Sequence, residues 1–359
     1  MTALFDKKNS TPLGKGEYYP AGSLMDKDLQ GQLMRYRRSV ASAYTSVSPD
    51  DIGKTFSLSG SSHVSPKIDG ELWFLVLDDV DPFLVSPRGA IIRGKIPILD
   101  EAKSASKTVK GKTIIAGELF AITKSSDDRP RVSGVAAAFG GGSKAPVEQF
   151  GFMAFDLVQI PEKLFEDKDI QSAEGKSLVM EQLLGGNKRL KVVPYKVVET
   201  VTEVSNLFDE WVAGGKAEGL VVRIPSGRVF KIKPEFTIDA VIVGYTERRE
   251  ASDQVGSVSL ALMHDENIYQ FIGSCGTIGS EDYRRYLHKR LNKIESSANF
   301  RKASSGGALY KFVLPEIVVE IKSSDVQSLD ASGKSIRHML IEHGNKGWIG
   351  KRPAPGASL

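Results

Sequence analysis

The sequence predicts an α+β chain built in two strand-dominated parts, the second of them a small β-barrel. Three observations carry this. Short runs of apolar, β-branched and aromatic residues recur along the chain. Clusters of Gly, Pro, Ser and Asp part them. Only three stretches set apolar residues at helical spacing. The 359 residues suit one large domain or two, and 41% hydrophobic content is enough for ordinary cores.

Residues 1–62 read as a short N-terminal extension. It holds one helix over 26–44, carrying Arg35, Arg37 and Arg38, and a Ser- and Gly-rich loop over 46–62. Residues 63–235 form the first main domain, with strands at 72–77, 113–120, 149–157, 219–223 and 229–232. A helix over 203–213 spaces Val204, Leu207, Phe208 and Trp211 along one face. The run Gly140-Gly141-Gly142 reads as a loop tip. A boundary at Lys233-Pro234-Glu235 opens a second domain over 236–359, with strands at 240–245, 258–263, 269–272 and 317–321. A helix over 281–294 interrupts them. Tyr283, Tyr286, Leu287, Leu291 and Ile294 share its apolar face, and Arg284, Arg285, Lys289 and Lys293 read as a solvated basic face. Several short strands plus one helix in about 120 residues fit a β-barrel of the OB type.

No apolar run approaches the roughly 20 residues of a membrane span. The first residues lack the apolar centre of a secretory signal. Cys275 is the single cysteine, so an internal disulfide and a zinc cluster are excluded. These features fit a cytoplasmic protein. The formal charge of +4 tolerates a nucleic-acid partner without demonstrating one.

Some chemical signals fail on inspection. Gly53-Lys54-Thr55 and Gly111-Lys112-Thr113 end like a phosphate-binding loop, but Ser48 and Ser106 stand where its first glycine belongs. His63, His264, His288, His338 and His343 show no metal-ligand spacing. Cys275 lies among apolar and glycine residues and is expected to be buried rather than reactive.

The stretch "SPKIDGEL" over 65–72 places Lys67 two residues before Asp69-Gly70 and just ahead of an apolar run. Alone, Lys67 is either a surface lysine at the start of a strand or a nucleophile. Five segments follow it in order. "SPRG" carries Arg88, "AGELF" sets Glu118 inside an apolar strand, and "FMAFDLV" carries Phe155. "AEGLVVR" puts Glu218 at the head of a strand that holds Val221. "FKIKP" alternates, so Lys231 and Lys233 share one face and Phe230 and Ile232 the other. Each has an ordinary structural reading: acids at strand ends, a core phenylalanine, a lysine pair guarding a sheet edge. Those readings do not explain the whole series in this order.

The series Lys-x-Asp-Gly, Ser-x-Arg-Gly, Gly-Glu-Leu, Phe-Asp, Glu-Gly-Leu-Val-x-Arg, Lys-x-Lys resembles the successive motifs of the ATP-dependent DNA ligases. These belong to the covalent nucleotidyltransferases, with RNA ligases and mRNA capping enzymes. The resemblance covers residues 60–325. In the second domain "FIGSCGTIG" (271–279) and "LPEIVVEIK" (314–322) are similar to strands of the ligase OB domain. The resemblance implies a nucleotidyltransferase (adenylation) domain of antiparallel sheets with flanking helices, followed by an OB-fold.

It also implies a polynucleotide ligase that seals 5′-phosphate/3′-hydroxyl nicks in duplex DNA, in repair or replication, and works as a monomer. Lys67 would attack the α-phosphate of ATP and form lysyl-AMP; neighbouring cations would lower its pKa. Lys231 and Lys233 would neutralise charge on the phosphates. Glu218, with Glu118, would hold Mg2+ or Mn2+. Phe155 and Val221 would enclose adenine. Arg88 would bind the nucleotide or the 5′-phosphate of the nick, and Asp69 and Gly70 would belong to the nucleotide site. AMP would pass to the 5′-phosphate, and the 3′-hydroxyl would displace it. Phosphate contacts position a protein without reading bases, so little sequence specificity is expected.

The sequence departs from the family pattern in places. Glu71, Leu72 and Trp73 follow Asp-Gly where many DNA ligases carry an arginine, and Ser65-Pro66 replaces an acid before the lysine. The N-terminal segment is too short for a large DNA-encircling helical domain. The family's last basic motif has no match, since Lys351 and Arg352 in "GWIGKRPAPGASL" are wrongly spaced. A truncated product is therefore expected, poor at the ATP step yet competent on an adenylated nick. The rivals are an RNA or repair ligase of the same chemistry, a capping guanylyltransferase, and a catalytically weakened nucleic-acid-binding module. Hinge motion is expected near residues 233–237.

Overall fold

The structure, a computed structural model, describes residues 4–58, 60–78, 81–109, 111–121, 135, 138–161, 170–328 and 334–359. Its contacts divide the chain into Met1–Pro234 and a second unit of Glu235–Asp330 with Lys334–Leu359. Both units are α+β, with few helices and mostly antiparallel sheets. Among the described residues no helix is long and apolar enough to cross a membrane.

The first unit holds two sheets. The larger runs, in spatial order, Thr11–Leu13, Lys15–Tyr19, Ile91–Lys95, Phe83–Val85, Glu71–Leu77, Thr113–Ala121, Phe150–Gln159 and Leu190–Val192. Its central strands are almost wholly apolar because both faces are covered. Trp73, Leu75, Leu77, Ile115 and Leu119 pack with helices Pro97–Thr108 and Ala173–Leu184. Phe74, Val76, Ile114 and Ala116 pack with Leu29, Leu33 and Tyr36 of helix Lys27–Tyr36.

The smaller sheet runs Lys196–Val198, Ser62–Lys67, Gly219–Arg223, Val229–Ile232 and Thr45–Val47. Here alternation is clean. Val64, Leu220, Val222, Phe230 and Ile232 face a core shared with Val204 and Leu207 of helix Val201–Phe208. That helix starts at a capping box, in which Thr200 and Glu203 each accept the other's backbone N–H. The alternate residues, His63, Ser65 and Lys67, then Val221 and Arg223, then Lys231, fall on the other face.

Several elements differ from expectation. The predicted loop over 46–62 contains strand Thr45–Val47 in part, turns, and the start of strand Ser62–Lys67. The predicted helix over 26–44 ends early, as Lys27–Tyr36 followed by a π-helical turn Arg37–Ala41, whereas that over 203–213 is helical from 201 to 213, its last turn, Asp209–Ala213, being π. Helices Pro97–Thr108 and Ala173–Leu184 were not expected. The latter buries Gly175 and Ser177 beside Val179 and Met180, so it carries no plain apolar stripe.

The second unit is one sheet in the order Lys311–Phe312, Phe236–Arg248, Ala251–Asp265, Ile268–Cys275, Arg337–Gly344 and Gly347–Pro355, with Val318–Ser323 also paired to Phe236–Arg248. Two strands run 13 and 15 residues. Register shifts interrupt their pairing and bend them. The expected barrel is present only as an open sheet: among the described residues no ladder joins the outer strands, and one bridge, Gln327 to Ser358, pairs the segments just beyond them. The Gly347–Pro355 edge carries Pro353 and Pro355, which cannot donate to a further strand. Backbone bonds from this edge go instead to residues 297 and 299: Trp348 N–H donates to Ser297 O and Asn299 N–H to Trp348 O.

Helix Glu281–Asn292 buries Leu287 and Leu291 but leaves Tyr283 and Tyr286 about half exposed. Arg284 is not part of a solvated face, since its guanidinium donates to the carbonyls of Val255, Gly256 and Gly276. Cys275 is half-buried rather than fully buried.

Trp348 is fully buried, and its Nε1–H donates to Val313 O at 2.8 Å. Trp348→Ala is expected to destabilise the second unit by about 3–5 kcal/mol, read as a lowered urea midpoint. An unchanged midpoint would contradict this packing.

Candidate active site

Lys67 ends its strand opposite Gly219 of the neighbouring one. A side chain at 219 is excluded: a Cβ there would sit 2.2 Å from Ile232 O. The bare backbone at 219 lets three strands close up, and Glu218 N–H donates to Lys67 O at 3.1 Å. The Glu218 side chain is then held between two lysines. Its Oε2 pairs with Lys67 Nζ and its Oε1 with Lys233 Nζ. The three side chains are only 25%, 18% and 31% exposed for Lys67, Glu218 and Lys233, so this pairing is less screened than an open surface bridge.

Lys67 lies in the smaller sheet and Glu118 in the larger. Three residues, Ile68 to Gly70, carry the chain from one to the other. Gly70 makes that crossing close, because a Cβ there would lie 2.7 Å from Glu118 Cβ and 2.9 Å from Leu119 O. The result is a cavity of about 230 Å³ between the sheets. Lys67, Val221 and Lys231 line it from the smaller sheet, and Glu118 and Phe155 from the larger.

Two carboxyls here are pushed in opposite directions. Burial lifts Glu118 to about 7; Lys67 opposes the rise, and the carboxylates of Glu218, Asp69 and Glu71 add to it. Burial also pushes Glu218 up, but Lys67 and Lys233 outweigh it and hold that carboxyl below its ordinary range.

Not every expected residue reaches the cavity. Asp69 and Gly70 shape the turn beside it, and Asp69 acts on Glu118 electrostatically. Arg88 is exposed on a tight turn closed by Gly89 N–H to Ser86 O at 2.9 Å, and it does not line the cavity. Gly89 needs the left-handed region, with φ of 77°. Three polar lining residues, Tyr44, Ser65 and Arg223, have no role in the sequence-based expectation. Arg223 donates to Ser65 Oγ at 3.3 Å and also bonds Tyr44. Strand alternation from Val221 would have found Arg223, and the same period from Lys67 would have found Ser65. Nothing local marks Tyr44.

Among the described residues no cluster of three or more His, Cys, Asp or Glu side chains is placed to hold a metal ion. Glu118 and Glu218 remain as oxygen donors. That set suits a magnesium-like ion, which takes one or two protein carboxylates and completes its shell with phosphates and water.

No protein-family model matches this sequence, and no curated protein matches it. Solved structures do. Pmar-Lig_PreS3 is 14% identical, with a TM-score of 0.56 over 91% of this chain and 71% of its own. Pmar-Lig_Pre. is 13% identical, with a TM-score of 0.56 over 90% and 70%. The chain shares their fold. A structure from work on the Lig E DNA ligases is 15% identical, with a TM-score of 0.49 over 84% of this chain and 95% of its own.

The Glu118 carboxyl has an ordinary value of 4.5 and a folded value of about 7. Between these pH values the folded chain keeps a proton that the unfolded chain releases. This group therefore makes the fold less stable as pH rises through the window, with its full cost above pH 7. Glu118→Gln removes the titration, so the variant is expected to gain stability on the parent across that window, measured by urea midpoints. A stability difference that stays constant from acid to neutral pH would overturn the assignment.

Proposed function

We propose that the chain is an ATP-dependent polynucleotide ligase acting on nicked duplex DNA. The observation that carries this is the Lys67–Glu218–Lys233 cluster beside a cavity that also presents Glu118, Phe155, Val221 and Lys231. The fold shared with Pmar-Lig supports it.

Lys67 Nζ, once deprotonated, attacks the α-phosphorus of ATP. A nitrogen–phosphorus bond forms, the bond to pyrophosphate breaks, and AMP stays on the lysine. Lys231 and Lys233 offset charge that builds on the phosphoryl oxygens and on the leaving pyrophosphate. Lys67 Nζ is engaged by Glu218, so that ion pair must open before attack. Glu118 and Glu218 would hold Mg2+ or Mn2+, which when bound neutralises the phosphates and competes with Lys67 for Glu218. Phe155 and Val221 stand on opposite sheets, and the gap between them is a slot for a flat purine. Asp69 and Gly70 keep the turn tight.

AMP then passes to the 5′-phosphate of a nick, and the 3′-hydroxyl attacks that phosphorus and expels AMP. Arg88, exposed outside the cavity, would meet the 5′-phosphate rather than the nucleotide. Residues 63–235 read as the adenylation domain. The extension over 1–62 adds strand Thr45–Val47 to its smaller sheet. The bulged, open sheet and single helix of 236–359 support an OB-fold, a barrel type that is partly open.

Incubation with ATP and Mg2+ should add the mass of one AMP to the intact protein, and Lys67→Ala should abolish it. Glu218→Gln should slow loading by roughly 10²-fold, the usual loss when one charge-stabilising group is removed. Phe155→Ala should raise the ATP requirement by up to about tenfold, the worth of one aromatic contact. Sealing of a nicked duplex by the parent completes the test. Loading by GTP instead of ATP, or adduct formation that survives in Lys67→Ala, would refute the assignment.

A further inference from the structure

The cavity at Lys67 has a larger neighbour. A second space of about 510 Å³ lies in the same unit, and Tyr44, Phe155 and Arg223 line both. Strand register explains their order. Lys67 stands opposite Gly219. Two residues along, Ser65, Val221 and Lys231 form a cross-strand row. Two further along, His63, Arg223 and Val229 form the next. Successive rows are roughly 6.6 Å apart, two residues of strand rise, and they share one face of the sheet. Lys67 and the second row line the smaller cavity, and the third row lines the larger, with Arg223 reaching both. A nucleotide bonded to Lys67, with its base between Phe155 and Val221, occupies the first two rows. The third row lies past the base.

The smaller cavity alone falls below the roughly 300–1,000 Å³ usual for small-ligand sites, and the larger one falls within it. The wall of the larger space is mixed: Glu174 and Arg223 put charge on it beside aliphatic surface. Val40, Ala173, Val197 and Val229 supply aliphatic surface. Asp156 is met by Lys176 at 2.8 Å and Tyr36 at 2.7 Å. His63 stacks on Tyr195 at 4.0 Å, its Nδ1 is buried with no hydrogen-bond partner, and burial pulls its pKa down to about 4. It is therefore neutral at physiological pH, and its ring forms part of the wall.

We propose that this space is a second compartment of the nucleotide site, which admits a bulky uncharged aromatic group carried on the purine of a nucleotide held at Lys67. The inference rests on the nucleotide reading of the Lys67 cavity. A site closed at the base edge would reject such nucleotides, because extra atoms in a packed space are not tolerated.

The probes are ATP, an ATP analogue with a benzyl group on N6, and one with a phenethylthio group on C2, each followed by intact mass. At least one analogue is expected to load Lys67 within about tenfold of the ATP rate, a penalty near 1.4 kcal/mol. Ala173→Trp and Val197→Trp fill only the larger space. Val197 is 48% exposed and Ala173 begins a helix, so both positions leave room to fold. Each variant should cut the ratio of analogue loading to ATP loading by about tenfold or more. Loading by ATP with neither analogue accepted overturns the compartment. So does an analogue-to-ATP ratio unmoved by both variants. Failure of ATP itself to load the parent overturns the nucleotide reading, and the compartment with it.

Discussion

At Lys67 the two sheets of the first unit meet through a crossing of only three residues. Lys67 closes a strand of one sheet and Glu71 opens a strand of the other, so Ile68, Asp69 and Gly70 span the gap. A link that short leaves the sheets no freedom to part at this point. Gly70 removes the last obstacle by letting the Glu118 strand come within contact distance. Everything that faces the cavity depends on this crossing. A second link of three residues, Val193 to Tyr195, joins strand Leu190–Val192 of the larger sheet to Lys196–Val198 of the smaller, beside His63 of the larger cavity.

Close approach of the sheets crowds like and unlike charges into little water. Glu118 and Glu218 are the same residue type and differ only in company. Glu218 has two ammonium partners and stays ionised. Glu118 is half-buried with more carboxylates than cations around it and holds its proton to near neutrality. Environments that separate two acids in this way are typical of sites that must bind or move charge. The arrangement also keeps Lys67 paired until something competes for its carboxylate.

Much of this was readable in the sequence because the smaller sheet alternates strictly. Lys67, Glu118, Phe155, Val221 and Lys231 line one cavity as strand periodicity and motif order suggest. Arg223 is equally readable by the same period, two residues beyond Val221 on the same face. Tyr44 was not readable, since it enters from beyond a helix end far away in sequence. Arg88 shows the limit of motif order: its segment forms the expected tight turn, yet the side chain lies in the open. Among the elements, helix Ala173–Leu184 was hidden by the small residues it buries, and strand Arg337–Gly344 by its many half-buried polar positions. The long strands of the second unit looked like short ones because bulges break their pattern.

Strand Thr45–Val47 lies parallel to Val229–Ile232, at the far edge of the smaller sheet. Those partners stand near opposite ends of the first unit's sequence. Pairings so remote require a large loop to close before any contact rewards it, which slows folding. On a ribosome the smaller sheet has to wait for nearly the whole unit to emerge, while the strand carrying Lys67 is made early. The wall that positions the lysine is thus among the last parts of this unit to assemble, and a nascent chain interrupted before residue 229 carries the lysine without the site.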